Sequence, residues 1–352
     1  MLKIIHAADL HLDSAFAALN NDQARERRAH QRELVHKIIE IGNEEQVDII
    51  LLAGDLFDGQ NAYYETAEAL STAFAKSRAK IFISPGNHDA YVRNSPYRSV
   101  KFSDNVHIFT NEQIERIPIP ELDCVVYGAG FSTPACERSL LEGFSANDDA
   151  IKLMVLHGEV TNAVSKYNPI TLSQIAESNL TYLALGHIHM TEGVKTAGNT
   201  CYAYSGAPEG RGFDETGDKG IYIGTISRDS VNLEFRKVSP YVYTESIMDA
   251  KINEIEKNLE GDHSFEVCRL IIEGVSEGID CDALWEKFGK NFYKLTIVDR
   301  TTPPFDVWEG LEEESIKGMF LRKLKSLDID DELREKAAFY GVSAIENREG
   351  RK

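Results

Sequence analysis

The 352 residues hold ten histidines, and five of them fall in short polar clusters that each follow an apolar run. The clusters are Asp9-Leu-His11, Gly54-Asp55-Leu-Phe-Asp58, Gly86-Asn87-His88-Asp89, His157-Gly-Glu159 and Gly186-His187-Ile-His189. The other histidines, His6, His30, His36, His107 and His263, match none of these patterns. Carboxylate, imidazole and amide oxygen together suit borderline divalent ions such as Mn, Fe or Zn better than Mg, which favours an all-oxygen shell. The donors are too many for one ion. Two ions about 3.5–4 Å apart that share a carboxylate would use them all, bind a phosphate oxygen and lower the pKa of a water between them. Phosphoester hydrolysis is the chemistry this inventory fits. Taken singly, each cluster has an ordinary explanation, since Asn and Asp favour turns and a histidine at a strand end can simply face solvent. Five in series, each after an apolar run, point to a site.

These clusters need elements to carry them, and the first half of the chain supplies strand–helix–strand alternation. "LKIIHAADLHLD" reads as a strand, about 22–46 as a long helix with Leu34, Val35, Ile38, Ile39 and Ile41 at helical spacing, and "VDIILLAGDLFDG" as a buried strand. A helix over 66–76, the strand "AKIFISPGNHD", an irregular stretch over about 90–120, and the strands "LDCVVYGAG" and "IKLMVLHGE" follow. A helix near 171–177 leads into "LTYLALGHIH", after which strands dominate. The pattern predicts a layered α/β sandwich with mixed sheets. In such folds the carboxyl ends of parallel strands share one edge, where ligand sites form. Around Pro240 the character changes to a small α+β pattern; "TTPPFD" reads as a linker, and from Glu309 onward the chain is charged and helical, with apolar residues at Ile316, Met319, Phe320, Leu321 and Leu324. The expected division is a main domain over 1–240, a small domain over 241–302 and a helical segment over 303–352.

The formal net charge is −19. Nucleic-acid binders usually carry a basic face, because Lys and Arg on phosphates supply most of the affinity. An acidic chain still acts on phosphates where bound metals invert the local field. The charge therefore disfavours a stand-alone nucleic-acid binder without excluding a metal-dependent nuclease. The five cysteines are scattered and form no CxxC, which suits a reducing cytoplasm and argues against a zinc ribbon or disulfide scaffold. No apolar run reaches membrane-spanning length, and the opening "MLKIIHAADLHL" is broken by His6 and Asp9 too early for a signal peptide.

The ordered series DxH, GDxxD, GNHD, H and GHxH resembles the signature of the calcineurin-like metallophosphoesterase superfamily over roughly residues 1–240. Within it, "HAADLHLDS", "LLAGDLFD" and "LGHIH" are similar to the SbcD-type DNA repair nucleases, and "YSGAPEGRGFDETGDKGIYI" is closer still to bacterial YhaO-type members. The resemblance implies an α/β/β/α metallophosphoesterase sandwich with a small α+β capping domain and C-terminal helices. It also implies two divalent metal ions, Mn foremost with Fe or Zn as alternatives. By matching motif, Asp9, His11 and His189 would hold one ion, Asn87, His157 and His187 the other, and Asp55 would bridge them. His88 would contact the scissile phosphate and donate a proton to the leaving oxygen, with Asp58 hydrogen-bonding and orienting it. The archaeal and eukaryotic nucleases of the family tend to have histidine where Asp58 stands; the Asp form also occurs in bacterial members and in phosphatases, so it leaves the substrate open.

Three features bear on substrate. Arg25, Arg28 and Arg32 share a helical face but alternate with Glu26 and Glu33, as on a solvated surface. "SGAPEGRG" could bring Arg211 to a phosphate or be a hairpin loop, and "YVRNSPYRSVK" offers Arg93 and Arg98 with Tyr91 and Tyr97, a mixture that suits single-stranded nucleic acid. The expected activity is DNA nuclease, exo- or endonucleolytic, acting in DNA repair with an SbcC-like coiled-coil ATPase that supplies basic surface, as a cytoplasmic homodimer without membrane attachment. The C-terminal apolar stripe would dock on that ATPase or pack on its own subunit. The alternative is a phosphatase or phosphodiesterase acting on nucleotides, phosphoproteins or other small phosphoesters.

Overall fold

A computed structural model of the chain describes residues 1–60, 62–303 and 306–349. Pro304 and Phe305 of the expected linker and the last three residues of the expected helical segment lie outside the described residues. Two six-stranded mixed sheets form the first compact unit. One orders the strands Val231–Lys237, Gly220–Ile226, Leu2–Ala7, Ile49–Leu52, Lys80–Ile83 and Val106–Ile108, the last four parallel. The other orders Lys195–Ala197, Thr200–Tyr204, Tyr182–Gly186, Ile151–His157, Cys124–Gly128 and Glu115–Ile119, with the middle four parallel.

Alternation along each strand builds the layers, because successive side chains leave opposite faces. Ile4, Ile49 and Leu51 of the first sheet meet Leu153, Val155, Tyr182 and Ala184 of the second in the core between the sheets. Their neighbours Ile5, Ile50 and Leu52 face outward against Leu34, Val35, Ile38 and Ile39 of the helix Asn21–Glu44. Met154, Leu156, Leu183 and Leu185 face the other outer layer, with Ile175 of the helix Leu172–Glu177. The result is the expected layered α/β sandwich.

The long helix starts where Asn20 accepts from the Gln23 amide and Gln23 returns a bond to Asn20, a capping box. The helix Tyr64–Ala75 begins two residues earlier than expected and has no side-chain cap at Tyr63. Asp13, from the loop after the first strand, caps it from a distance, accepting from the Tyr63 amide at 2.9 Å and the Thr66 hydroxyl at 2.7 Å. His6, buried in the first strand, links the two sheets: its Nε2 donates to the Leu185 carbonyl at 3.1 Å and its Nδ1 accepts from the Tyr182 hydroxyl at 2.8 Å. Burial lowers its pKa to about 3, so it is a neutral structural group.

The chain divides into two compact units, and the divide falls within the strands Val242–Asp249, His263–Glu273 and Phe292–Asp299 of a three-stranded sheet. The first unit takes residues 1–246, 260–269 and 287–296; the second takes 247–259, 270–286 and 297–352. In the second unit the helices Ile316–Lys325 and Asp331–Glu349 pack through Leu321, Leu324, Ala338 and Val342. Among the described residues no helix is long and apolar enough to cross a membrane.

Candidate metal centre

Each of the five clusters ends a strand, and each such strand runs parallel to a neighbour in its sheet, so their carboxyl ends open on a common edge. The loops after the first two strands continue together, with Asp9 N donating to the Gly54 carbonyl and His11 N to the Asp55 carbonyl, both at 2.9 Å. Asp9, His11, Asp55 and His187 adopt left-handed φ values of 54°, 43°, 49° and 102°. Such conformations cost a non-glycine residue of order 1–3 kcal/mol and persist where surrounding contacts over-determine them. Here the contacts are visible: Asp9 accepts the His187 amide on both carboxylate oxygens, at 3.0 and 3.1 Å, and Asp55 accepts the His88 amide at 2.9 Å.

Donor atoms converge in three groups: Asp9, His11 and His189; Asp9, Asp55 and His157; and His11, Asp58 and His88. His11 Nδ1 bonds Asp58 at 3.0 Å and His189 Nδ1 bonds Glu215 at 2.7 Å. Ionised carboxylates only accept, so both imidazoles carry a proton on Nδ1, and their Nε2 atoms face each other 3.2 Å apart beside Asp9. A carboxylate oxygen and two imidazole nitrogens within 4.8 Å of one another are a donor set that fits a metal. His157 Nδ1 donates to the Ala53 carbonyl at 2.9 Å, which turns its Nε2 toward Asp55 at 3.3 Å and Asn87 Oδ1 at 3.0 Å. His187 belongs to none of the three groups; its ring lies 5.3 Å from that of His157.

The electrostatics divide the imidazoles: burial pulls His189 down, but its bond to Glu215 and the nearby Asp9 carboxylate outweigh it and raise its pKa. Burial lowers His11 and His187 to about 4, which leaves both neutral and able to ligate at pH 7. Burial raises Asp9 to about 6. Burial also pulls His157 down, but the Asp55 carboxylate outweighs it and lifts His157 to about 9, while Asp55, despite its own burial, is held by His157 far below the usual carboxylate range. In the metal-free protein this pair is a buried ion pair. The contribution of His157 is complete below its ordinary value of 6.5 and is lost as pH rises through about 9. Metal must displace that proton. Manganese binding at pH 7 is expected to release about one proton per chain from this residue and to tighten with pH up to about 9. Calorimetric titrations in buffers of different ionisation enthalpy measure the release, and an enthalpy independent of buffer would contradict it.

Asp89 holds two of these loops together, accepting from the Gly86 and Leu56 amides at 2.7 Å each and from the Tyr97 hydroxyl at 2.5 Å. The backbone of Gly86 passes so close that an added Cβ would lie 2.3 Å from Asp55 Oδ1 and 2.9 Å from the Asp55 amide. Gly86→Ala is therefore expected to displace Asp55, weakening metal binding about 10–100-fold and destabilising the protein by about 1–3 kcal/mol. Manganese titration and thermal melts of the variant check both; unchanged affinity would show that Asp55 is not held by this contact.

Several residues stand differently from their sequence reading. Asp58 meets His88 through its main-chain carbonyl, which accepts from His88 Nδ1 at 3.0 Å. Its carboxylate goes instead to His11 and Arg211, because the loop turns that side chain toward the first cluster. Arg211, read as either a phosphate contact or part of a hairpin loop, has its guanidinium paired with Asp58 and Glu215. Arg93 and Arg98 are exposed, Arg98 lying 4.4 Å over the Tyr91 ring, and among the described residues neither bonds to a member of the cluster. Sequence reasoning missed Glu215 and Glu209, both buried; their signal was an acidic pair inside the glycine-rich "PEGRGFDETG", too weak to separate from a surface loop.

Residues 2–191, more than half the chain, match the model of the calcineurin-like phosphoesterases. Among curated proteins the chain is similar to YhaO of Bacillus subtilis (strain 168), named as an uncharacterized metallophosphoesterase, at 29% identity over 261 residues, covering 70% of this chain and 63% of YhaO. It is similar to the SbcD component of the SbcCD nuclease of the same organism at 26% identity over 260 residues, covering 61% of this chain and 64% of that protein. The corresponding component from Staphylococcus epidermidis is 25% identical over 342 residues, 86% of this chain and 81% of that one. The chain thus spans somewhat less than two thirds of the length of the first two relatives. With the strand-end donors and the family match together, the chain belongs to the calcineurin-like phosphoesterase family.

Proposed function

We propose that this chain is a two-metal-dependent DNA nuclease that hydrolyses phosphodiester bonds and acts in DNA repair. The observation that carries the reading is the convergence of two donor groups on Asp9, one with His11 and His189 and one with Asp55 and His157, each within 4.8 Å. Asp9, His11 and His189 would hold one divalent ion, Asn87, His157 and His187 the other, and Asp55 both. When bound, the two ions supply positive charge to a phosphate oxygen and lower the pKa of a water. Manganese suits this mixed nitrogen and oxygen set. His88 is exposed at the rim, its amide fixed by Asp55 and its Nδ1 by the Asp58 carbonyl. That leaves Nε2 to carry a proton to the leaving oxygen.

DNA is favoured as substrate by the similarity to two proteins named as nuclease components. A coiled-coil ATPase partner of the SbcC kind would relieve the net charge of −19 by supplying basic surface. In this reading residues 241–302 form a capping domain, 303–352 a docking segment for that partner, and the protein works in the cytoplasm as a homodimer.

The test is a substrate panel with Mn²⁺: single-stranded, hairpin and duplex DNA beside a generic phosphodiester and a phosphomonoester. The expected result is cleavage of DNA, with Asp55→Ala inactive on every substrate. Hydrolysis of the small esters alone would overturn the nuclease reading in favour of a small-phosphoester hydrolase.

A further inference from the structure

Assigning Asp9, His11 and His189 to one ion leaves unexplained what aims the two imidazoles, whose rings come from different sheets. Resting on that assignment, we infer that Arg211 and Glu215 are positioning residues for that ion alone, and that the loop carrying them sets the affinity of one metal site without touching the other. The guanidinium is a tie between two carboxylate–imidazole pairs. Asp58 Oδ1 accepts from His11 Nδ1 and from Arg211 Nη1, each at 3.0 Å. Glu215 Oε1 accepts from His189 Nδ1 at 2.7 Å and from Arg211 Nη2 at 2.6 Å. One planar fork thus fixes the separation of the two carboxylates, and each carboxylate fixes the tautomer and direction of one ring.

The loop is anchored at several further points. Glu215 Oε2 accepts the Arg211 amide at 3.0 Å, which closes the loop on itself. Lys219 Nζ and the Ala207 amide donate to the His189 carbonyl at 3.1 and 3.2 Å, so the loop grips His189 at its main chain as well as its ring. Upstream, Glu209 is buried against Arg27 and His30 of the long helix. His157 has no such dependence: its Nδ1 bonds the main-chain carbonyl of Ala53. The two halves of the centre are therefore aimed by different parts of the chain, one by a side-chain relay and one by a strand.

Two changes separate the relay from the fold. Glu215→Gln keeps the shape but leaves one accepting oxygen where two now serve His189 and Arg211. Arg211→Lys keeps the charge but replaces the fork with a point donor that cannot hold both carboxylates in one plane. Equilibrium Mn²⁺ titration of the full chain by calorimetry, with free Mn²⁺ counted by electron paramagnetic resonance, reads the two sites separately. Wild type is expected to bind two ions; in each variant one dissociation constant should rise about 10–100-fold while the other stays put. Melts of the metal-free proteins identify a variant that fails to fold, and the other variant then gives the same readout. Equal weakening of both sites, or no change in either, would overturn the inference. Fewer than two ions on wild type would instead overturn the two-ion reading, and this inference with it.

Discussion

Replacing His88 with alanine is expected to lower phosphodiester turnover about 10²–10⁴-fold, the range for a positioned general acid, with Mn²⁺ binding unchanged. The His88 ring packs edge-on against that of His11 at 4.8 Å, but His11 is aimed by Asp58 and the His88 amide that bonds Asp55 survives in alanine, so the donors around Asp9 should stay in place. The size of the loss should depend on the leaving group. An alkoxide needs a proton as it departs, whereas a nitrophenolate leaves without one. His88→Ala should therefore be crippled on DNA and only mildly impaired on a nitrophenyl diester, and His88→Gln, which can still bond the Asp58 carbonyl but cannot deliver a proton, should behave like alanine. Equal losses on both substrates would mean that His88 binds phosphate instead of donating a proton.

Glu209→Ala is expected to cost about 3–5 kcal/mol of stability, because breaking a buried ion pair from one side strands the other charge. Arg27 is fully buried and its Nη1 has no hydrogen-bond partner. Its support comprises Glu209 Oε1, which accepts from Nε at 2.8 Å and also from Nη2, a contact to the Gly210 carbonyl, and the rings of Tyr241, Phe16 and Tyr293 at 3.7, 5.1 and 5.9 Å from the guanidinium. The second oxygen of Glu209 serves His30 at 2.7 Å and Ser239 at 3.1 Å, so alanine removes the acceptor of donors on three residues. Urea denaturation of the metal-free protein measures the loss. The double variant Arg27→Met, Glu209→Leu should recover most of it, since an apolar pair of similar volume replaces a buried ion pair at little cost. A single variant that melts with wild type would show that water reaches Arg27.

Much of this molecule is legible in its residues alone. The layered fold follows from strand–helix alternation and from strands such as 151–157, whose apolar runs are buried on both faces. The gathering of Asp9, His11, Asp55 and His157 was legible because parallel strands deliver their carboxyl ends to one edge whatever the loops between them do. What stayed hidden depends on side-chain direction across long separations. Asp58 lies 47 residues from His11 and 153 from Arg211, and no periodicity announces which way a loop carboxylate will turn. The strong motif beside Asp58 drew it to His88, but only its carbonyl reaches that ring. Glu215 was missed because burying a loop requires the whole surrounding shell, here Arg211, His189 and Lys219, to be in place.

The neutral histidine His6 carries a mechanical consequence. It bolts the strand Leu2–Ala7 to the strand Tyr182–Gly186 three residues before Asp9, and one of its partners, Leu185, lies two residues before His187. One residue along a strand is about 3.3 Å, nearly the whole separation of roughly 3.5–4 Å between paired metals in such centres. A slip of the sheets by a single residue would therefore misplace donors by a full inter-ion distance. The bolt acts as a gauge block: it sets the tolerance to which two sheets, joined here by residues 179 apart in the chain, must be assembled before a phosphate can be gripped between them.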